Sequence, residues 1–308
     1  MILEYTASPN DAGVPLGLVL RRSMAVSDTL IRKTKREKRR LELNGKPAYT
    51  NEIVSAGQKI LIDLPDYPAL NTSVLPDEPD QVSLLYSDPY LLAAWKPAFL
   101  QTHPSPSAPA GSDTLENRVQ KLLKIPAHPV HRLDRETSGI ILLACSPYIQ
   151  SVLQNEMQDG RFRKEYHAVV FGIPPDPSGT IEAPILQESP ENFTRIIHPN
   201  GQPAKSYYEK VASFRISSQP VSLLRLIPFT GRTHQLRVHL SSLGFPILGD
   251  FRYGTNESVS FSNAIGLTRQ QLCSDKITFE HPVFKNQIVV SGKNDLEIME
   301  YEKEPILA

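Results

Sequence analysis

Short runs of residues, either alternating between apolar and polar or continuously apolar, predict β-strands over most of the chain after residue 80. Turn residues bound these runs, which have the length of strands. The predicted strands are 82–86, 91–95, 139–145, 166–171, 206–214 and 221–227. The first two flank Ser87-Asp88-Pro89, a turn sequence, and we expect them to pair.

Helices are predicted between these strands from their start and stop signals. The sequence DTLE at 113–116 fits a capping box and opens a helix that ends before Pro126. A helix over 147–159 follows a serine cap, has proline in its first turn and stops at Gly160. The last predicted helix spans 233–243, with leucines at i, i+4 and i+7. This irregular mixture predicts an α+β fold with a mostly antiparallel sheet.

The N-terminal part of the chain is short and basic. Ser27 or Asp28 can cap a helix, because both accept hydrogen bonds from free backbone amides. Asn44-Gly45 is a strong turn signal, and 59–64 alternates loosely, as a strand does. A small α/β module is therefore expected at 1–64.

The following segment, 65–80, contains four prolines and several acids. This composition resists a packed core and is typical of a linker. The chain is therefore predicted to consist of a module at 1–64, a Pro-rich linker at 65–80 and a larger domain at 81–308.

The composition is that of an ordinary globular protein, with 40% hydrophobic and 21% charged residues. Two cysteines, Cys145 and Cys273, are too few for a disulfide scaffold and favour a reducing compartment. Neither a secretory signal nor an apolar run long enough for a membrane span is visible. We expect a cytoplasmic protein without membrane contact.

Charge gives two opposite indications about nucleic acid. The net charge is zero, whereas nucleic-acid binders usually carry excess positive charge. The segment 21–40, however, holds nine Lys or Arg and two acids. Such a run is also typical of a solvated helix face, so charge alone leaves both interpretations open.

The segment HRLDRETSG at 131–139 has five ionisable side chains in six residues, immediately before a predicted buried strand. A salt-bridged surface turn is one explanation. The alternative is a functional site, because a carboxylate drawn toward the core requires a partner. Thr137 and Ser138 could then supply hydrogen bonds to an anion.

Two further segments could carry chemistry. Arg232 precedes a helix N-terminus on a glycine turn, where it could hold a carboxylate, although a solvent-facing arginine is equally expected. For Tyr166, in RKEYHAVV at 163–170, a core aromatic residue with a paired hydroxyl is the more common explanation.

Several other chemistries lack their motifs. His234 and His239 lie on different faces of the predicted helix, and no cysteine pair has zinc spacing. Phosphate-binding glycine loops and a nucleophile elbow are absent. Asp134 and Glu136 could be proposed as a glycosidase pair, but arginines crowd them.

Together, HRLDRETSG at 131–139, RKEYHAVV at 163–170 and GRTHQLRVHLSSLGFPILGD at 231–250 resemble the RluA-type family of pseudouridine synthases in order and spacing. The resemblance covers roughly 82–290, with one departure at Ala98-Phe99-Leu100, where a glycine-containing turn would be expected. Residues 1–64 resemble, more weakly, an S-four-like RNA-binding module.

The resemblance implies a mixed sheet split by a catalytic cleft, an RNA substrate, and neither cofactor nor metal. It assigns catalysis to Asp134, stacking on the base to Tyr166, pairing with the aspartate to Arg232, and filling of the RNA stack to Arg132. The remaining motif residues are expected to bind substrate: His131, Thr137, Lys164, Thr233, His234 and Gln235.

The resulting hypothesis is a monomeric enzyme that isomerises uridine to pseudouridine in ribosomal or transfer RNA. One alternative is a non-catalytic RNA-binding or ribosome-assembly factor that uses the basic segment 21–40. The other is a hydrolase that releases free uracil.

Overall fold

The computed structural model describes residues 1–68, 70, 82–105, 108–109, 111–189, 192–300 and 304–305. The N-terminal part forms a four-stranded antiparallel sheet in the order β1-β4-β2-β3. Its strands are β1 (Ile2–Thr6), β2 (Leu41–Leu43), β3 (Lys46–Pro47) and β4 (Lys59–Asp63).

A short 3₁₀ helix (Pro9–Asp11) and two α-helices, α1 (Leu16–Arg22) and α2 (Asp28–Arg36), complete this part. Ser27 caps α2 by accepting the amide of Leu30, as its position predicts. Asn44 and Gly45 both have positive φ and form the predicted turn between β2 and β3. The sheet and helices enclose a hydrophobic cluster of their own.

The rest of the described chain is built on one sheet of eleven strands. The main path runs β10-β13-β14-β9-β15-β8-β6-β5, and β7, β16 and β17 lie beside it. The strands are β5 (Ser83–Ser87), β6 (Leu91–Lys96), β7 (His128–Pro129), β8 (Ser138–Ala144), β9 (Arg163–Phe171), β10 (Ser178–Glu182), β13 (Lys205–Ile216), β14 (Gln219–Pro228), β15 (Leu272–Glu280), β16 (Gln287–Ser291) and β17 (Glu304–Pro305). A separate hairpin consists of β11 (Ile185–Gln187) and β12 (Arg195–Ile197).

One strand pair of the large sheet is parallel, and it joins the two halves of the sheet. β8 meets β15 only at Ser138↔Cys273 and Gly139↔Ser274, whereas the other named strand pairs are antiparallel. We call this contact the seam. Gly139 has a φ of +135°, and a Cβ there would stand 2.3 Å from the Ser274 carbonyl oxygen, so the close approach requires glycine.

Four helices accompany this sheet in the described residues: α3 (Leu115–Leu123), α4 (Pro147–Gln158), α5 (Gln235–Ser242) and α6 (Asn256–Ala264). A 3₁₀ turn follows at Glu297–Glu300. Within the described ranges, no helix combines the length and the apolar character needed to cross a bilayer.

The predicted fold class, α+β with a mixed and mostly antiparallel sheet, is confirmed. Two details of the helix predictions are wrong. Thr114, not Asp113, caps α3, because the Asp113 carboxylate binds Arg118. The helix at 233–243 is not the last, since α6 follows. Most of the predicted linker, 71–80, lies outside the described residues, and the division into domains stays a prediction.

Candidate active site

The HRLD segment forms a loop that enters β8 at the seam. The Asp134 carbonyl accepts the Thr137 amide over 3.1 Å, which turns the chain. Beside it, the hydroxyl of Thr102 accepts the Leu133 amide over 3.2 Å. These bonds, with the close contact at Gly139, fix the loop on both sides of Asp134.

The buried side chain of Lys96 also holds the loop that carries Asp134. Lys96 is 0% exposed, and its ammonium donates to the carbonyls of Leu100 (2.8 Å), Pro97 (3.0 Å) and Arg135 (3.1 Å). Burial lowers the pKa of Lys96 to about 7, although the charge of Asp134 acts in the opposite direction. In the same turn Phe99 has a φ of 67°, the conformation that the expected glycine would adopt without strain.

Asp134 is held by an arginine that is itself buried between two carboxylates. Arg237 Nη1 donates to Asp134 Oδ2 over 3.1 Å. The same guanidinium donates twice to Asp250, with Nε to Oδ2 at 2.7 Å and Nη2 to Oδ1 at 2.9 Å. Burial alone would lower the pKa of Arg237, but the hydrogen bonds and charges of Asp250 and Asp134 raise it above its ordinary value. Arg237 is therefore a permanent cation facing the Asp134 carboxylate.

The predicted pairing of Arg232 with Asp134 is wrong. Arg232 is exposed, and its Nε donates to the Pro203 carbonyl over 3.0 Å. It lies in the turn before α5, whereas Arg237 lies in the first turn of that helix, on the side that meets Asp134. Arg232 still lines the cleft described below.

His234 links Asp134 to Tyr253. It adopts a left-handed φ of 57° at the start of α5, a strained conformation for a residue with a side chain. Its Nδ1 lies 2.7 Å from the Tyr253 hydroxyl and its Nε2 lies 3.9 Å from Asp134 Oδ2. Burial lowers the pKa of His234 to about 4, so the ring is neutral at neutral pH.

The tautomer of His234 follows from its neighbours. The Tyr253 hydroxyl oxygen accepts the Arg195 amide over 2.9 Å, which leaves the phenolic proton free for His234 Nδ1. We assign the ring proton to Nε2 on this ground. The N–H then faces the Asp134 carboxylate.

Tyr166 lies on β9, two residues after Lys164, so both side chains stand on the same face of the strand. Tyr166 is 6% exposed and lines the cleft with Asp134. Burial raises the pKa of Tyr166 well above its ordinary value. The phenol is therefore neutral and provides a flat wall rather than a base.

Other predicted site residues have mainly structural contacts. Gln235 accepts from Thr230 and from the Arg232 amide, and donates to the carbonyl of Lys205 and the hydroxyl of Ser206, which occupies its whole amide group. The Thr137 hydroxyl accepts a hydrogen bond from the side-chain amide of Gln270.

Three more predicted site residues differ in how deeply they are buried. His131 is 8% exposed and accepts the Leu142 amide on Nε2. Thr233 is half-buried and Arg132 is exposed, and both line the cleft.

These groups surround a cleft of about 220 Å³, which we call the first cleft. Leu133, Leu236 and Leu272 form its apolar walls, while Asp134, His234 and Arg237 supply the polar ones. No group of three or more His, Cys, Asp or Glu side chains among the described residues is placed to hold a metal ion. The cleft combines one carboxylate, a buried permanent cation beside it and an aromatic wall, a set suited to holding and reacting with a small polar ring.

The sequence analysis missed three residues that build this site: Arg237, Asp250 and Tyr253. All three lie within or just after the GRTHQLRVHL motif, but the motif alone gave them no role. A charged residue between Leu236 and Val238 at the start of an apolar helix was the available signal, because a buried arginine needs carboxylates.

Comparison with known proteins identifies the family to which the chain belongs. The family model described as RNA pseudouridylate synthase matches residues 90–242. The chain is 31% identical over 295 residues to the uncharacterized RNA pseudouridine synthase YhcT of Bacillus subtilis (strain 168), covering 94% of this chain and 93% of that protein. It is 32% identical over 214 residues to the dual-specificity RNA pseudouridine synthase RluA of Salmonella typhi, covering 69% and 93%.

A solved structure shows the same fold. Human RNA pseudouridylate synthase domain containing 1 superposes with a TM-score of 0.62 at 23% identity, covering 76% of this chain and 93% of that one. The match to YhcT covers nearly the whole of both chains, and the residues matched by the family model include the first two motifs and the beginning of the third. The chain therefore belongs to the RNA pseudouridylate synthase family, in its RluA-type branch, and is an isomerase that acts on uridine in RNA.

Proposed function

We propose that Asp134 is the catalytic residue of this isomerase, that no cofactor takes part, and that the substrate is ribosomal or transfer RNA. The observation that carries the proposal is the position of the Asp134 carboxylate. It lies in the first cleft, 3.1 Å from the buried Arg237 guanidinium, where Tyr166 also forms part of the wall.

The reaction requires few groups. The bond between uracil N1 and ribose C1′ breaks, the base turns, C5 bonds to C1′, and a proton leaves C5 while N1 gains one. No water is consumed, so one carboxylate is enough. Asp134 must act as a carboxylate whether it attacks the sugar or removes a proton, and its Oδ2 accepts a hydrogen bond from the permanent cation Arg237.

The surrounding groups hold the base. Tyr166 offers its ring as a surface on which the uracil can stack after it leaves the RNA helix. Leu236 and Leu272 exclude water, which keeps the detached base in the cleft. Arg132 is exposed and lines the first cleft, which supports a role in replacing the base in the RNA stack.

The choice of RNA rests on the relatives. RluA carries the description dual-specificity, and a relative from Buchnera aphidicola, 33% identical over 221 residues, is named ribosomal large subunit pseudouridine synthase C. For residues 1–64 we propose an S-four-like RNA-binding module, supported by their separate sheet and core. Helix α2 and the residues after it expose Arg32, Arg36, Lys38 and Arg40, which favour binding to phosphates.

The test replaces the carboxylate. Asp134→Asn and Asp134→Ala should abolish pseudouridine formation, while RNA binding persists. The substrate is RNA from a strain that lacks the gene, and pseudouridine is measured in it by nucleoside mass analysis after incubation with each variant. Glu136→Gln is the control, because this half-buried neighbouring carboxylate does not line the first cleft and its loss should leave activity near that of the wild type. Full activity of Asp134→Ala would reject the proposal, and free uracil in place of pseudouridine would indicate a hydrolase.

A further inference from the structure

A second, larger cleft adjoins the first. Its volume is about 830 Å³, and it shares one wall with the first cleft. The shared residues are Met157, Lys164, Pro228, Thr230, Gly231 and Arg232. Asp134 and Tyr166 line only the first cleft, so the second has no role in the proposed chemistry.

Lys164, in the shared wall, is a buried cation without a counterion. Four Lys or Arg side chains are buried in the described residues: Lys96, Lys164, Arg237 and Arg269. Lys96 donates to three carbonyls, Arg237 to two carboxylates, and Arg269 to Glu297 and to the Asp295 carbonyl. Lys164 is 8% exposed and has no hydrogen-bond acceptor or carboxylate among the described residues.

An unpaired ammonium group in this position is costly. Burial lowers the pKa of Lys164 to about 8, the sign of an ion removed from water without compensation. Nearby His131 is also a donor without an acceptor: its Nε2 accepts the Leu142 amide, so the neutral ring carries its proton on Nδ1, which has no partner among the described residues. The unpaired ammonium group of Lys164 therefore makes the shared wall complementary to an anion, whereas His131 lines only the first cleft.

The lining of the second cleft is suited to a nucleotide. It includes Arg163, Lys164 and Arg232 but, among the described residues, neither aspartate nor glutamate. It also includes Phe229, which is 56% exposed, and the half-buried Tyr207. Cations beside an exposed aromatic ring form the combination on which single-stranded RNA bases stack.

We propose that the second cleft binds the nucleotide adjacent to the target uridine, with the connecting phosphate on Lys164 and the neighbouring base stacked on Phe229. This inference rests on the proposed function, since it places the target uridine in the first cleft. The phosphate that joins two nucleotides would then lie at the wall that joins the two clefts.

The phosphate contact is tested with a stem-loop RNA that has an all-uridine loop, prepared with ordinary linkages and with uncharged methylphosphonate linkages in the loop. Binding is measured by fluorescence anisotropy on the full-length Asp134→Asn protein. In that background Lys164→Met should weaken binding of the ordinary RNA roughly ten- to a hundredfold, as expected for a lost charged hydrogen bond. The methylphosphonate RNA should bind both proteins equally, and Lys164→Arg should retain most of the affinity.

The stacking contact has its own variants. Phe229→Ala should weaken binding about tenfold, and Phe229→Trp should restore it. Phe284→Ala is the matched control, because Phe284 is 57% exposed but lines neither cleft, and it should bind like the parent protein.

The outcomes separate this inference from the proposed function. Equal loss of affinity on Lys164→Met for charged and uncharged RNA, or unchanged affinity of Phe229→Ala, would overturn the adjacent-nucleotide site. Neither result depends on turnover, whereas the catalytic role of Asp134 is decided by pseudouridine formation alone. A cooperative thermal unfolding transition with a midpoint close to or above that of the parent shows that each variant is folded.

Discussion

At the scale of single residues, the two clefts contain buried cations in opposite surroundings. Arg237 lies between Asp134 and Asp250, and both carboxylates raise its pKa. Lys164 has no such neighbour among the described residues, and burial lowers its pKa. Arg237 therefore stabilises the fold and holds the geometry of the site. Lys164 instead lowers the stability of the protein without ligand, and an anion bound next to it would relieve this cost.

Replacing Lys164 should accordingly stabilise the free enzyme in a pH-dependent manner. The pKa of Lys164 is about 8 in the folded chain against an ordinary value of 10.5, so the protonated form opposes folding at every pH below about 8. This cost fades as the pH rises from 8 to 10.5, where the unfolded chain loses its proton too. Lys164→Met should therefore unfold at higher denaturant concentration than the wild type at pH 7.

The gain from Lys164→Met should shrink when the same denaturant titrations are made near pH 10. The exposed Lys121→Met is the control and should show no such pH-dependent difference from the wild type. A gain of equal size at both pH values would contradict the assigned cause.

At the scale of elements, helix α5 anchors the arginine that contacts Asp134 in the buried core. Its first turn carries Arg237, and the residues around that arginine, from Gln235 to Leu240, are all buried. The LGD segment after the helix supplies Asp250, which also accepts the amides of Arg252 and Tyr253. Asp250 thus fixes both the arginine and the turn that carries the His234 partner.

We expect Asp250→Asn to damage stability and turnover together. Removing one carboxylate from a buried ion pair costs roughly 3–5 kcal/mol. Arg237 would also lose its orientation toward Asp134, so kcat for pseudouridine formation should fall more than KM rises. Chemical denaturation and steady-state kinetics measure the two effects.

Asp113→Asn offers the comparison, since it removes a carboxylate from the surface pair with Arg118. Its free energy of unfolding should change by at most about 1 kcal/mol. Wild-type kinetics in Asp250→Asn would show that Arg237 does not need Asp250 to hold Asp134.

The elements that were predicted correctly are those specified by local signals. Helix α4 begins at Pro147 after the predicted serine cap, and β9 and β14 contain the predicted runs 166–171 and 221–227. The choice between Arg232 and Arg237 could not be made in this way. Both belong to the same motif, and only the packing of α5 on distant loops decides which one reaches Asp134.

The unpaired state of Lys164 and the existence of α6 could not be predicted from the sequence either, for two different reasons. A lysine in a strand gives no local sign that its carboxylate partner is missing, because the neighbours that could provide one come from other parts of the chain. Helix α6 has a serine-rich sequence with a weak apolar stripe, so its periodicity did not predict it.

At the scale of the whole molecule, the seam joins the two halves of the large sheet through the pairs Ser138↔Cys273 and Gly139↔Ser274. The half containing β8 carries the Asp134 loop, and the half containing β9 carries Tyr166. The relative placement of the two halves therefore sets the distance between the carboxylate and the aromatic wall.

Gly139→Ala should disturb that placement. The added Cβ would stand 2.3 Å from the Ser274 carbonyl oxygen, so the seam must open or the backbone must shift. We expect a large drop in the midpoint of thermal unfolding and loss of pseudouridine formation.

Gly266→Ala separates backbone strain from the steric contact. Gly266 also has positive φ, 72°, but no described atom lies within 4 Å of the place that a Cβ would take, so the variant should lose only about 1 kcal/mol from backbone strain. If the two variants lose the same stability, the close approach at the seam is not what makes Gly139 necessary.

The seam also limits how early the active site can assemble during folding. Its partners come from positions 138 and 273, so closing it requires most of the chain between them to be in place, and contacts of such large sequence separation are slow to form. During synthesis Asp134 leaves the ribosome well before Arg237, Asp250 and β15 do. A chain that ends before Arg237 lacks the buried cation that faces Asp134 and the strand that closes the seam, so under the proposed mechanism it should form no pseudouridine.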